Sequence, residues 1–162
     1  MSLKYDTLAG KALSDLKKQG IAIPVKPSYE IPRLPTELTG LGDEALMELY
    51  SQLTAYADFI SVQVSCAIID ERQVEKKLQH REQSLMLSHS LSKSESRVTF
   101  ARAQEAADSE VLALKDDLDQ VYAYRKLIES MAGNIERDTA LVSRELTRRT
   151  SGIASRRTGW SP

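Results

Sequence analysis

Basic residues at helical spacing are the side chains of this chain best suited to binding chemistry. Arg72, Lys76, Lys77 and Arg81 follow one another in steps of four, one and four residues. In an α-helix of about 3.6 residues per turn, such steps gather side chains along one flank. Arginine suits phosphate because its planar guanidinium donates two parallel hydrogen bonds. The spacing therefore indicates a candidate groove for a nucleic-acid backbone.

A second basic region lies near residue 162. From residue 137 onward, six arginines stand against Asp138 and Glu145, a local balance of +4. The candidate nucleic-acid contacts of this region are Arg144, Arg148, Arg149, Arg156, Arg157 and Trp160. The indole of Trp160 could stack on a base, and it could equally anchor a protein partner.

Internal ion pairing is the alternative interpretation of both basic groups. Residues 105–119 carry six carboxylates and one lysine, a balance of −5. If two long helices ran antiparallel, residues 72–81 would lie near this acidic stretch. Arg148 and Arg149 would then lie near the carboxylates of residues 43–48. Such pairing is ordinary on solvated helices, so the sequence leaves both interpretations open.

Residues for catalysis or metal binding form no recognisable pattern. The chain has no Walker loop, HExxH, CxxC or interpretable Ser–His–Asp grouping. We therefore expect neither an enzyme nor a cofactor, and we place His80 and His89 on the surface because no further ligands accompany them. Cys66 is the only cysteine, which predicts a small buried residue in a reducing compartment.

Two long helices are predicted to position these residues. Residues 43–87 lack glycine and proline, and their apolar residues recur in steps of three and four, the pattern of an amphipathic helix. Asp43 is its predicted N-cap, and its length of roughly 65 Å requires a packing partner. A second helix is predicted over residues 108–150, capped by Asp108, with Gly133 marking a close approach between helices.

The serine-rich stretch 88–96 interrupts the helical pattern, and Thr99 could cap a short helix after it. Since the two long helices have similar lengths, an antiparallel hairpin is the economical fold. We therefore predict an all-α protein whose hairpin domain spans residues 43–150 and whose flexible basic tail spans residues 151–162.

The first 42 residues are predicted to differ in character from the hairpin. Residues 3–19 read as a short helix that Gly20 ends. Four of the five prolines of the chain follow within residues 21–35, which keeps the backbone extended. This proline-rich segment is either a linker or an arm that lies along its own helices or a neighbouring subunit.

Self-association is expected because two helices alone leave much of each apolar stripe in water. The net charge of −1 does not suit a chain that coats nucleic acid over its whole surface. The least polar window, residues 59–69, is broken by Ser61, Gln63 and Ser65. We therefore expect neither a signal peptide nor a membrane span, and a cytoplasmic location.

Residues 46–150 resemble the UvsY-type recombination mediators of T4-like phages. The resemblance lies in the run LMELYSQL, the helix ERQVEKKLQHR, a polar break, and AADSEVLALKDDLDQ leading into a helix that ends in RR. It implies a helical, ring-like homo-oligomer that binds single-stranded DNA and loads a RecA-like recombinase in the presence of single-strand-binding protein. The family's basic segment falls on Arg72, Lys76, Lys77 and Arg81. The chain departs from the family in its greater acidity, its proline-rich segment and its arginine-rich tail.

The expected function is therefore that of a non-catalytic phage recombination mediator acting in the cytoplasm of a bacterial host. The alternative is a phage structural or assembly protein, a virion or scaffold component built from the same hairpin. Salt-sensitive binding to single-stranded DNA separates the two, because a structural role predicts none.

Overall fold

The computed structural model describes residues 7–90 and 108–158, with side chains for 7–87 and 108–151. Three helices occupy these ranges: α1 (Leu8–Lys18), α2 (Asp43–Ser90) and α3 (Ser109–Thr158). No residue in the described ranges lies in a strand. The all-α prediction is thereby confirmed. The turn that a hairpin needs, together with the helix predicted after Thr99, falls in residues 91–107, outside the described part.

Local chemistry explains both ends of α1. The hydroxyl of Thr7 accepts a hydrogen bond from the Gly10 amide at 3.1 Å, which caps the first turn. Thr7 itself is extended, so the helix does not run unbroken from residue 3 as predicted. Gly20 has φ +80°, a backbone conformation that favours glycine. The amides of Gly20 and Ile21 bond back to the carbonyls of Lys17 and Leu16, each at 3.1 Å, and end the helix as predicted.

The long helices begin close to their predicted caps. The Leu46 amide bonds to the Gly42 carbonyl at 3.0 Å, so Asp43 is the first helical residue rather than the N-cap. Its carboxylate still lies at the positive end of the helix dipole. Asp108 is confirmed as the cap of α3, because its Oδ1 accepts from the amides of Glu110 and Val111 at 3.0 and 2.9 Å.

The interior of α3 contains Gly133, as predicted, but no helix approaches it closely. A Cβ built on Gly133 would meet nothing within 4 Å, so the prediction of a close approach there is wrong. Both long helices also continue past their predicted ends, α2 to Ser90 and α3 to Thr158.

The chain divides into two compact units. The first unit combines Met1–Ala22 with Val64–Leu127, and the second combines Ile23–Gln63 with Ile128–Pro162. Each unit thus contains part of α2 and part of α3. In the first unit, cross-helix contacts pair rising residue numbers in α2 with falling numbers in α3, as between Glu71 and Arg125 and between Arg81 and Asp108. The two helix segments of this unit therefore run antiparallel.

The second unit is built around an apolar cluster. Leu46, Leu53 and Val142 are fully buried at its centre. Partly buried side chains from three parts of the chain cover the cluster: Leu34, Leu38, Leu41, Leu49, Tyr50 and Leu146. Because three of these precede α2, the segment before the helix supplies one wall of this core.

The proline-rich segment packs on α2 within the second unit through Tyr29. The hydroxyl of Tyr56 donates to the Tyr29 carbonyl, and the Tyr29 hydroxyl donates to the Gln52 carbonyl at 3.4 Å. The two tyrosine rings meet edge to face, with centroids 5.5 Å apart, a favourable aromatic geometry. The segment therefore has specific partners in its own chain.

The described residues of the first unit bury fewer large apolar side chains. Those that are buried there are Ala9, Cys66, Ala67 and Val111, of which only Val111 is a larger aliphatic residue. The Leu8 amide at the start of α1 bonds to Gln73 Oε1 at 3.2 Å, which places α1 beside α2. Cys66 is buried as predicted. Burial raises the pKa of its thiol, and the charge of Asp70 raises it further.

Candidate nucleic-acid interface

A mostly buried ion pair joins the two long helices in the first unit. Arg125 of α3 donates two hydrogen bonds to the carboxylate of Glu71 on α2. Only 17% of the arginine side chain and 12% of the glutamate side chain are exposed. This pair fixes the level at which the two helix segments face each other.

Arg81 is held by carboxylates at the start of α3. Its Nη2 lies 2.7 Å from Asp108 Oδ2, and its Nε lies 3.1 Å from Glu110 Oε2. The hydrogen bond from Arg81 lowers the pKa of the Asp108 carboxyl, and the bond from the Val111 amide lowers it further. Asp108 therefore both caps α3 and pairs with α2. For Arg81, the structure agrees with the interpretation that the basic residues form ion pairs within the chain.

Arg149 joins α3 to the segment before α2. Its guanidinium donates to the carbonyls of Leu38, Thr39 and Leu41 at 3.2, 3.2 and 2.9 Å. It also donates to Asp43 Oδ1 at 2.6 Å. A guanidinium with this many backbone partners satisfies carbonyls of the turn that leads into α2, so Arg149 serves the fold of the second unit.

The carboxylate of Glu145 accepts hydrogen bonds from two neighbouring arginines. Arg148 donates to both of its carboxylate oxygens at 2.7 Å, and Arg149 Nε donates to Oε1 at 2.8 Å. The bonds from Arg148 and then Arg149 lower the pKa of Glu145 to about 2. Arg148 is nevertheless exposed, so part of its guanidinium still faces solvent.

The remaining predicted contacts divide into two groups. Arg72, Lys76, Lys77 and Arg144 are exposed and make no hydrogen bond or ion pair to any residue in the described ranges. Arg156 and Arg157 lie on the helical backbone of α3, but their side chains, like the whole of Trp160, fall outside the described part. Of the four predicted contacts that are exposed and unpaired among the described residues, three therefore lie close together on α2 of the first unit.

The sequence analysis missed a group of aromatic and basic residues on α3. Tyr122 is 46% exposed. The Cζ of Arg125 and the Nζ of Lys126 lie 5.3 and 5.7 Å from its ring centroid, within the range of cation–π contacts. The run YAYRK, in which tyrosines alternate just before two cations, was the signal that could have found it.

Helix geometry relates this group to the cations of α2. Arg72 directly follows Glu71, and Lys126 directly follows Arg125. Each step along a helix turns the side chain by about 100°. In an antiparallel pair, the residues that follow two facing partners therefore emerge on the same side. Tyr122 lies one turn before Lys126, so Arg72, Tyr122 and Lys126 share one side of the first unit, which we call the Tyr122 face.

The geometry thus defines an all-α protein with a basic and aromatic surface on its first unit. The chain matches no protein-family model, and neither a curated protein nor a solved structure is similar to it. Among the described residues, no three or more His, Cys, Asp or Glu side chains form a group that could hold a metal ion. By length and composition alone, α2 could cross a membrane from Asp43 to Leu87, and 28% of its most apolar window is buried within the chain.

Proposed function

We propose that this protein is a non-catalytic phage recombination mediator that binds single-stranded DNA and helps to load a RecA-like recombinase. It works as an oligomer of antiparallel helical hairpins, in the presence of single-strand-binding protein. The observation that carries this proposal is the contrast among the basic residues. Arg81 and Arg149 are engaged by carboxylates, whereas Arg72, Lys76 and Lys77 are exposed and unpaired among the described residues.

Unpaired surface cations are the ones that can bind phosphate at low cost. A cation already held by a carboxylate must give up that partner before it can contact a phosphate. Arg72, Lys76 and Lys77 have no such partner to lose in the described part of the chain. Neutralising a phosphate releases condensed counterions, which supplies a salt-dependent driving force.

Exposed apolar side chains support the oligomer. Leu127, Met47 and Met131 are 68%, 55% and 45% exposed, although large apolar side chains gain free energy by leaving water. The most apolar window of α2 is also mostly unburied within the chain. A second copy of the protein would remove such surface from solvent.

The test is a fluorescence-anisotropy titration of a labelled single-stranded oligonucleotide at several salt concentrations. Replacing Arg72, Lys76 and Lys77 together by alanine should weaken binding to all sequences alike. It should also flatten the log–log salt dependence by about 2, since each phosphate contact on a single strand contributes about 0.7.

The matched control replaces Lys11, Lys17 and Lys26 by alanine, which changes the net charge equally. These three lysines are also exposed, but they lie on α1 and the proline-rich segment. The control should keep most of the affinity and of the salt slope. Equal losses in both triple variants would reduce the effect to net charge and remove the assigned site.

A phage structural or assembly protein is the second candidate. The internal pairing of Arg81 and Arg149 favours it, because these arginines stabilise the fold and need no ligand. A parent protein that assembles in light scattering but binds no oligonucleotide at low salt would establish this candidate and refute the mediator.

A further inference from the structure

Tyr122 combines exposure to solvent with contacts that hold its ring in place. Arg125 contacts the Tyr122 ring, and Arg125 is itself held by the buried carboxylate of Glu71. The ring therefore lies against a rigid neighbour, while 46% of the residue remains open to solvent. Little side-chain entropy would be lost if a flat ligand bound to it.

We propose that Tyr122 is a stacking platform for a base of single-stranded DNA whose phosphates contact Arg72 and Lys76. This inference rests on the proposed function and assigns the base-contacting residue of the same site. Stacking on an aromatic ring beside a basic track is the usual way in which proteins bind single strands without reading sequence, because every base has a π-face.

The spacing of residues on the Tyr122 face suits phosphate contacts on α2 together with base stacking on α3. Arg72 and Lys76 lie one turn apart on α2, about 6 Å along the helix axis. Adjacent phosphates in an extended single strand are separated by a similar distance, so both cations could follow the backbone while one base turns toward α3. Lys126, which contacts the Tyr122 ring, adds positive charge beside that base.

The Tyr122 face also carries carboxylates. Glu75 is exposed one turn after Arg72 on α2, and Asp119 is exposed one turn before Tyr122 on α3. These charges repel phosphate, so binding through cations alone would be weak. A contribution from stacking, which does not depend on charge, fits such a mixed surface better than a purely electrostatic site.

A structural role for Tyr122 is the competing explanation, since its ring contacts Arg125 of the Glu71–Arg125 pair. Leucine and phenylalanine separate the two roles. Leucine keeps the apolar cover but has no π-face, whereas phenylalanine keeps both. Tyr124 supplies a matched control, because it is also exposed and directly precedes Arg125, which by the same rotation places it on the opposite side of the helix pair.

The experiment compares two oligonucleotides of equal length and charge, one of thymidines and one whose sugars are abasic. Tyr122→Leu should weaken binding of the thymidine strand about tenfold, within the range expected for one stacked base. It should leave binding of the abasic strand within about twofold of the parent. Tyr122→Phe and Tyr124→Leu should change neither affinity.

Each other result decides against the inference. Equal weakening of both strands by Tyr122→Leu would make the tyrosine a structural support, and no weakening of either would remove it from the site. In both cases binding by the parent would leave the proposed function standing. A parent that binds neither strand would instead refute the proposed function together with this inference.

A second measurement covers the case in which Tyr122→Leu does not fold. Tyr122→Trp combined with Trp160→Phe gives a protein with one tryptophan, at the proposed platform. Its fluorescence should be quenched when the thymidine strand binds and should not change when the abasic strand binds at saturation. Quenching of the same size by both strands, or by neither, would overturn the inference.

Discussion

The two units of this protein are held together by different forces, although the same two helices pass through both. The second unit buries Leu46, Leu53 and Val142 partly under leucines from the segment that precedes α2. Among the described residues, the first buries mainly small apolar side chains and joins its helices by ion pairs such as Glu71–Arg125. Arg149 beside the apolar cluster is bound by the fold, whereas three cations on α2 of the first unit are exposed and unpaired among the described residues.

The difference shows what determines whether a basic residue is available for binding. Arg149 lies where α3 meets the turn before α2, and unsatisfied carbonyls there accept its hydrogen bonds. Arg72 makes no ion pair with a carboxylate of the described residues. Both residues are arginines on long helices, so the neighbouring backbone makes the difference.

The largest expected loss of stability comes from a substitution in the apolar cluster of the second unit. Leu53→Ala should lower the free energy of unfolding by about 2–5 kcal/mol, because it removes a fully buried side chain and leaves a cavity. Urea denaturation measures this directly. Val25→Ala is the control, and since Val25 is exposed, its free energy of unfolding should stay within about 0.5 kcal/mol of the parent's. Similar losses in both variants would mean that the cluster is not the main support of the second unit.

The stability of the first unit should respond differently when one member of the Glu71–Arg125 ion pair is replaced and when both are. Arg125→Met leaves the Glu71 carboxylate buried without its partner, which should cost about 1–3 kcal/mol by urea denaturation. Adding Glu71→Leu should restore much of that loss, because an apolar pair of similar volume has no charge to desolvate. If the double variant were less stable than Arg125→Met, the first unit would depend on the attraction between these charges.

Acid should weaken both units through their arginine-bound carboxylates. The pKa of Glu145 is lowered from 4.5 to about 2, so its contribution is complete above pH 4.5 and is lost as the pH falls toward 2. The lowered pKa of Asp108 acts in the same direction in the first unit. Thermal melting between pH 6 and pH 2 should therefore show a falling melting temperature.

Glu145→Gln tests how much of the acid sensitivity of the melting temperature comes from Glu145 in the second unit. The variant should melt lower than the parent at pH 6 and should lose less on acidification, since the group that titrates is gone. Glu136→Gln is the control, because Glu136 is exposed on the same helix without a partner in the described residues. A parent and a Glu145→Gln variant with parallel pH profiles would show that Glu145 does not carry this dependence.

Helix content and helix ends were predictable because local chemistry decides them. Asp108 can accept from the amides of Glu110 and Val111 whatever the rest of the chain does, and Gly20 can adopt a positive φ at little cost. The apolar periodicity of α2 likewise requires only its own residues. Gly133 was misread for the opposite reason, since a close approach depends on a second helix that the local sequence does not describe.

The sequence by itself determined an all-α chain with two long amphipathic helices, a helix stop at Gly20 and an extended proline-rich segment. It also placed Arg72 and Arg81 in one basic group. Only the tertiary structure separated them, by setting Arg81 opposite Asp108 and leaving Arg72 exposed. It likewise brought Tyr122 to the side of Arg72. Periodicity and capping follow from a few neighbouring residues, whereas ion pairs and shared faces depend on the register between helices, which packing of the whole chain decides.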